Sequence, residues 1–240
     1  MAGAGYTAIA LTPLPRKPTG SLVTGAWRYL VGCHSSVKGL FDALATIRAT
    51  KQATTGQDTR GRLASDEEDL LRAALVFTSS GLDACCKRLL RDTLESLIAG
   101  NATAGRKFHD FIKQELATGP SDPLAQAILA GDPRKQMIKV YIDVRTKASM
   151  QGSGDVKTRV RDTLGISNAQ LPVAQIETLD KFFAARNAIV HDLDYEDPSA
   201  PNSKARWRRK MEEVRDDCDA VLAVVATIIR ATATNLRACA

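Results

Sequence analysis

Residues 182–197 read FFAARNAIVHDLDYED, and the fold turns on how this stretch is read. Its apolar residues recur at helical spacing rather than alternating. Yet Arg186 and Asn187 interrupt a run otherwise suited to a buried helix, and His191 follows just before a burst of acids. On a helix turning by about 100° per residue, Leu179, Phe182, Phe183, Ile189, Val190 and Leu193 share one face, and Arg186 projects near its middle. Asn187 and His191 are four residues apart and lie together on the flank. Arg186 and His191 point about 140° apart, so they do not meet across one regular helix surface. An unpaired charge in a core costs several kcal/mol. Either Arg186 reaches a buried acid or water, or the apolar face is itself an interface. Two copies of the helix meeting about a two-fold axis would line one cleft with Arg186 and His191 of both.

Outward from this stretch the pattern stays helical. Downstream, Ser203 leads into a last helix whose apolar stripe is Met211, Val214, Cys218, Val221, Leu222, Val225, Ile228, Ile229 and Leu236. Upstream, the motif helix starts at Pro172, where proline is tolerated in a first turn. Ser65 with Glu68 three residues later has the form of a capping box, and Asp66, Glu67 and Asp69 suit the positive end of a helix running to Gly100. Trp27, Leu30, Val37, Phe41 and Leu44 mark an earlier helix, followed by a polar loop. Residues 101–168 read as short helical pieces split by TGPSDP, AGDP and QGSGD, with QMIKVYIDV assigned to helix. No internal repeat, Gly-rich phosphate loop or strand alternation is present. The expectation is an all-α helical bundle. It has a flexible arm over residues 1–22 and one domain over residues 23–240. That domain comprises an N-terminal helical extension, a core at 65–100 and 170–237, and a helical insertion at about 101–168.

Composition narrows the function classes. Apolar residues make up 44% of 240 positions and aromatics only 5%, so the core is expected to be mainly aliphatic. The net charge is +6, and Arg134–Arg161 alone carries eight Lys/Arg against two Asp. The basic character is therefore regional, which suits an acidic partner such as RNA. Five cysteines with no CxxC pair read as buried small hydrophobes in a reducing compartment. Three histidines without ligand spacing give no metal set. No signal peptide is evident, and no apolar run reads as a membrane span. A cytoplasmic protein with no cofactor and no membrane association is expected.

The segment RNAIVH, Arg186 to His191, resembles the arginine–polar–three residues–histidine signature of the HEPN superfamily, whose members are small α-helical domains. ALVFTSSGLDACCKRLLRDTL is similar to the first long core helix of that superfamily, IETLDKFFAARNAIVHDLD to its motif helix, and CDAVLAVVATII to its closing helix. The broken insertion before the motif helix is most similar to the RiboL-PSP group. The resemblance covers roughly residues 65–235. It implies a homodimeric, metal-independent endoribonuclease of a toxin–antitoxin or antiviral system, held in check by an antitoxin or inhibitor protein. It also implies that Arg186 and His191 carry catalysis with Asn187 in support, and that products end in a 2′,3′-cyclic phosphate and a 5′-hydroxyl. Asp83, in the first core helix, is a candidate acid for Arg186. Some members carry tyrosine two residues after the histidine as a modification site. Leu193 stands there in this chain, and the nearest tyrosine is Tyr195.

Around the motif the readings divide. The cluster KARWRRK supplies Lys204, Arg206, Arg208, Arg209 and Lys210 around Trp207. It reads equally as RNA contacts with a stacking platform or as a helix start paired with Asp192, Asp194, Glu196 and Asp197. The Arg134–Arg161 stretch is a second candidate track. His34 is expected on the core face of its helix and His109 at the surface. Two other classes remain open: a HEPN fold that holds RNA or nucleotide without cutting it, and a helical adaptor that associates through its apolar faces.

Overall fold

The structure is a computed structural model in which residues 9–55, 63–200, 202 and 204–239 are described. The elements are α1 (Thr24–Thr55), α2 (Ser65–Gly100), α3 (Ala102–Thr118), α4 (Asp122–Ile128), α5 (Pro133–Lys147), α6 (Ser153–Asp155), α7 (Val173–Glu177), α8 (Asp180–Asp192) and α9 (Met211–Cys239). A π-helical turn, Val156–Arg161, continues α6. Among the described residues there is no strand, only an isolated bridge between Tyr195 and Arg206. The all-α bundle read from the sequence is the fold.

α2 is the central element, and its leucines explain why. Leu71, Leu75, Leu82, Leu89, Leu90, Leu94 and Leu97 are all buried and serve neighbours on several sides. α1 runs antiparallel to it. Arg48 pairs with Glu67 at 3.1 Å near one end, and Gly25 lies against Arg88 and Asp92 near the other. Between these points Cys33 packs on Gly81, where any Cβ would collide with its side chain. α9 runs parallel to α2. The Thr78 hydroxyl lies 3.2 Å from Cys218 Sγ, and Cys239 covers Gly100.

The start of α2 is set one residue earlier than the sequence suggests. Ala64 occupies the cap position, and Glu67 rather than Glu68 reaches back to accept the Ala64 N–H at 2.9 Å. Glu68 is engaged elsewhere, accepting from Arg72 at 3.1 Å. α1 extends to Thr55, beyond the expected boundary; residues 56–62 of the polar loop lie outside the described residues. The expected motif helix is divided. α7 ends at Glu177 and α8 starts at Asp180, which lets Ile176 and Leu179 both enter the core.

Residues 1–8 of the expected arm lie outside the described residues. Its remainder is not loose. Leu11 is buried, the Thr12 backbone and hydroxyl donate to Asp219, and His34 meets the Thr12 carbonyl at 3.0 Å. His34 thus fastens the arm instead of filling the core. His109 is exposed, as expected.

α9 contains an 18-residue window of mean hydropathy 1.4, long and apolar enough to cross a membrane, but 61% of that window is buried inside the bundle. It is the second core helix, and its apolar stripe is occupied by α2 and α1.

All five cysteines are free, and Cys33, Cys85, Cys86 and Cys218 are buried. Burial pushes the Cys33 thiol up to about 11 and those of Cys86 and Cys218 up to about 12. A thiolate-selective reagent at pH 8 is therefore expected to label Cys239 alone in the native protein and all five thiols after unfolding. Rapid native labelling of more than one thiol would show that the α1–α2–α9 seam is looser than described.

Candidate functional site

α8 carries the motif, and two anchors hold it. At its N-terminus the Ser153 hydroxyl donates to Asp180. At its C-terminus the chain turns through two residues with left-handed backbone, Leu193 (φ 50) and Asp194 (φ 65). The Asp194 N–H closes the turn on Ala188 O at 2.9 Å. The face read as apolar is only partly covered. Phe182, Phe183, Ala185 and Ile189 are buried, whereas Val190 is 44% and Leu193 63% exposed.

Arg186, near the middle of that face, is half-buried. Its Nη1 donates to Asn187 Oδ1 at 2.9 Å, and its Nε is buried without a hydrogen-bond partner. Asn187 in turn donates to Gln151 O at 3.3 Å. Arg186 and Asn187 thus form one unit. His191 is exposed one turn beyond Asn187, with no partner for its ring among the described residues. Asp83 does not fill the role of acid beside Arg186. It pairs with Lys87 at 2.8 Å and accepts the Met150 N–H at 3.0 Å. It reaches the motif only indirectly, through the linker that Asn187 also holds.

Asp194 is the residue that sequence reasoning missed. Unlike its exposed neighbours Asp192, Glu196 and Asp197, it is fully buried. It accepts from Arg72 Nε at 2.8 Å and from Arg209 Nε at 3.0 Å, with a second, closer bond from Arg209 Nη2. Its carbonyl accepts the Trp207 N–H at 2.8 Å. Burial works against the charge on Arg72, but the hydrogen bonds to Asp194 and Asp69 more than offset it and raise its pKa above the ordinary arginine value.

This network separates the two readings of KARWRRK: the pairing with the following acids is present through Arg209 and Asp194, the helix start is not. The segment does not open the last helix; residues 204–210 are non-helical, with one isolated bridge at Arg206, and α9 begins at Met211. Arg209 is bound to Asp194, while Arg206 donates to Leu193 O and to Asp69, each at 2.8 Å. Both hold the motif turn in place. Lys210 makes an exposed pair with Glu213 at 2.9 Å that raises its own pKa and lowers that of Glu213. Lys204 and Arg208 are exposed and unpaired among the described residues. They line a polar cavity of about 320 Å³ together with Ser65, Glu68 and Glu196. The second basic track also shrinks. Arg159 caps α5 through the carbonyls of Arg145, Ala148 and Ser149, and Arg161 donates to Leu171 O at 2.9 Å. Arg134, Lys135, Lys139 and Lys147 remain exposed.

A groove of about 270 Å³ runs between α8 and α9. Ala184 and Ala188 form its floor, Trp207 one wall, and Lys181, Lys210 and Asp217 its polar edge. Trp207 is 51% exposed. Burial raises the Asp217 carboxyl above its ordinary range, opposed by Lys181 and Arg209. Ala184, Ala188 and His191 follow at spacings of four and three residues, so His191 continues the same side of the helix. Arg186 faces away from that side.

Leu193 is doubly costly where it stands: a large apolar side chain in water, on a backbone that disfavours any Cβ by about 1–2 kcal/mol. Leu193→Gly is expected to raise the stability of the isolated chain by about 1 kcal/mol and to weaken any self-association. Urea unfolding and sedimentation read the two effects; a loss of stability would mean that the leucine packs within its own chain. Comparison with family models, curated proteins and solved structures found no match for this chain.

Proposed function

We propose that this chain is a HEPN-type endoribonuclease whose active site is completed by a second copy of itself. The observation that carries the reading is the state of α8. It presents an arginine oriented by Asn187, a free exposed histidine, and two uncovered apolar side chains beside them, Val190 and Leu193. Arg186 and His191 diverge on one helix, so joint action on one phosphate calls for a second motif helix facing the first. A leucine held at positive φ and in water is the residue type expected where a partner covers it.

In the reaction, one His191 imidazole takes the proton of a ribose 2′-hydroxyl. O2′ attacks the adjacent phosphorus, and the P–O5′ bond breaks. An acid, the partner copy's imidazolium in a symmetric cleft, protonates the leaving O5′. Arg186 forks onto the non-bridging oxygens and offsets the charge that builds on them. The products are a 2′,3′-cyclic phosphate and a 5′-hydroxyl. RNA approaching along the α8–α9 groove would stack a base on Trp207 and meet Lys181 and Lys210 at its edge. Such activity endangers the cell that makes it, which is the reason to expect an antitoxin or inhibitor protein as partner.

A second reading, RNA binding without cleavage, draws on the same groove and on unpaired Lys204 and Arg208. The two part at one experiment. Inactive Arg186→Ala and His191→Ala proteins are mixed and assayed for RNA cleavage. Recovery of a fraction of wild-type activity supports the composite site. Two variants that each lose cleavage and stay silent when mixed, although sedimentation shows mixed dimers, would refute it.

A further inference from the structure

We propose that the cleft between α2, α4 and α5 binds a nucleotide-like organic phosphate and thereby adjusts the hold on Arg186. The adjustment rests on the nuclease reading above; the binding does not. The cleft, half open to solvent, has a volume of about 740 Å³, within the range of roughly 300–1,000 Å³ usual for small-molecule sites. Pro123, Val140 and Val144 give it apolar walls. Arg91 and Lys147 supply two cations against the carboxylate of Asp143, and Lys87, paired with Asp83, adds a third at the wall. Arg91 and Lys147 are exposed and have no partner among the described residues. Apolar walls suit a base or another flat organic body, and the cations suit its phosphates. An inorganic anion would leave the walls wet, and a neutral apolar molecule would leave the cations unused.

The link to the motif is a continuous run of hydrogen bonds. Lys87 Nζ pairs with Asp83 Oδ2 at 2.8 Å, and Asp83 Oδ1 accepts the Met150 N–H at 3.0 Å. The carbonyl of the next residue, Gln151, accepts from Asn187 Nδ2 at 3.3 Å, and Asn187 Oδ1 accepts from Arg186 at 2.9 Å. A phosphate that draws Lys87 into the cleft competes with Asp83 for it. That loosens the linker on which Asn187, and through it Arg186, is oriented.

The test is calorimetry with adenosine triphosphate, adenosine and tripolyphosphate as probes. Saturable binding of the triphosphate is expected. It should weaken by about tenfold or more in Arg91→Glu/Lys147→Glu, two exposed positions, for the loss of charge-assisted contacts. It should persist in Arg186→Ala/His191→Ala. Circular dichroism confirms that each variant is folded. Adenosine and tripolyphosphate should each bind more weakly than the whole nucleotide. No saturable binding, unchanged binding in the charge-reversed variant, or tripolyphosphate equal to the nucleotide would each overturn the site. A second arm follows RNA cleavage with and without the nucleotide, and a severalfold change confined to chains with Arg91 and Lys147 is expected. Binding with no change in cleavage refutes the coupling alone. No cleavage under any condition refutes the nuclease reading, while calorimetry still decides the cleft.

Discussion

Arg186→Ala is expected to lower RNA cleavage by about 10²–10³-fold, the range seen when one preorganised donor to a developing oxyanion is removed. The loss should fall mainly on kcat, because the guanidinium matters most when charge builds on the phosphate. Stability should change little. Arg186 is only half-buried, and its one side-chain bond is to the neighbouring Asn187. Its Nε is already buried and unsatisfied, so removal also relieves a cost. Lysine at this position should recover little of the rate, since a point charge cannot reproduce the fork. A loss confined to KM would reassign Arg186 to simple RNA attraction.

Asp194→Ala is expected to destabilise the fold by about 3 kcal/mol, the lower end of the range for removing one partner of a buried ion pair. Asp194 has no exposed surface. Arg72, whose side chain is 4% exposed, would keep Glu68 and Asp69 but lose its buried partner. Arg209 would lose its anchor, while the turn after His191 would keep its backbone bond to Trp207 and the Arg206 bond to Leu193 O. Asp192→Ala, two residues away and exposed, serves as the control and should stay within about 0.5 kcal/mol of wild type. Urea unfolding separates the two. Equal small effects would mean that the Asp194 network carries no net stability.

These positions also mark how far the sequence could be read. Residues 65–100 were legible because a long apolar period, acids at the first turn and a terminal glycine agree with one another. The division of α7 from α8 was not, since nothing local at Thr178–Leu179 signals a break; the break follows from the way Ile176 and Leu179 enter the core. Arg186 was legible as an anomaly, a charge at a position whose neighbours are apolar. Asp194 was not. It stands among Asp192, Glu196 and Asp197 in a loop of uniform character, and only its pairing with Arg72, 122 positions earlier, sets it apart. KARWRRK left two readings open, RNA contacts or pairing with the acids of 192–197, and the Arg209–Asp194 pair falls to the second. Composition cannot tell a cation recruited by a distant buried carboxylate from one left to solvent.

The proposed chemistry is met most directly by one assay: RNA cleavage in excess EDTA by purified wild type and by His191→Ala, with product ends identified. His191 is exposed and has no ring partner among the described residues, so its replacement should leave the fold intact. Cleavage by the wild type that yields 2′,3′-cyclic phosphate and 5′-hydroxyl ends, lowered by about 10²–10⁴-fold in the variant, is the expected result. Equal cleavage by both proteins, or products ending in a 5′-phosphate, would contradict it.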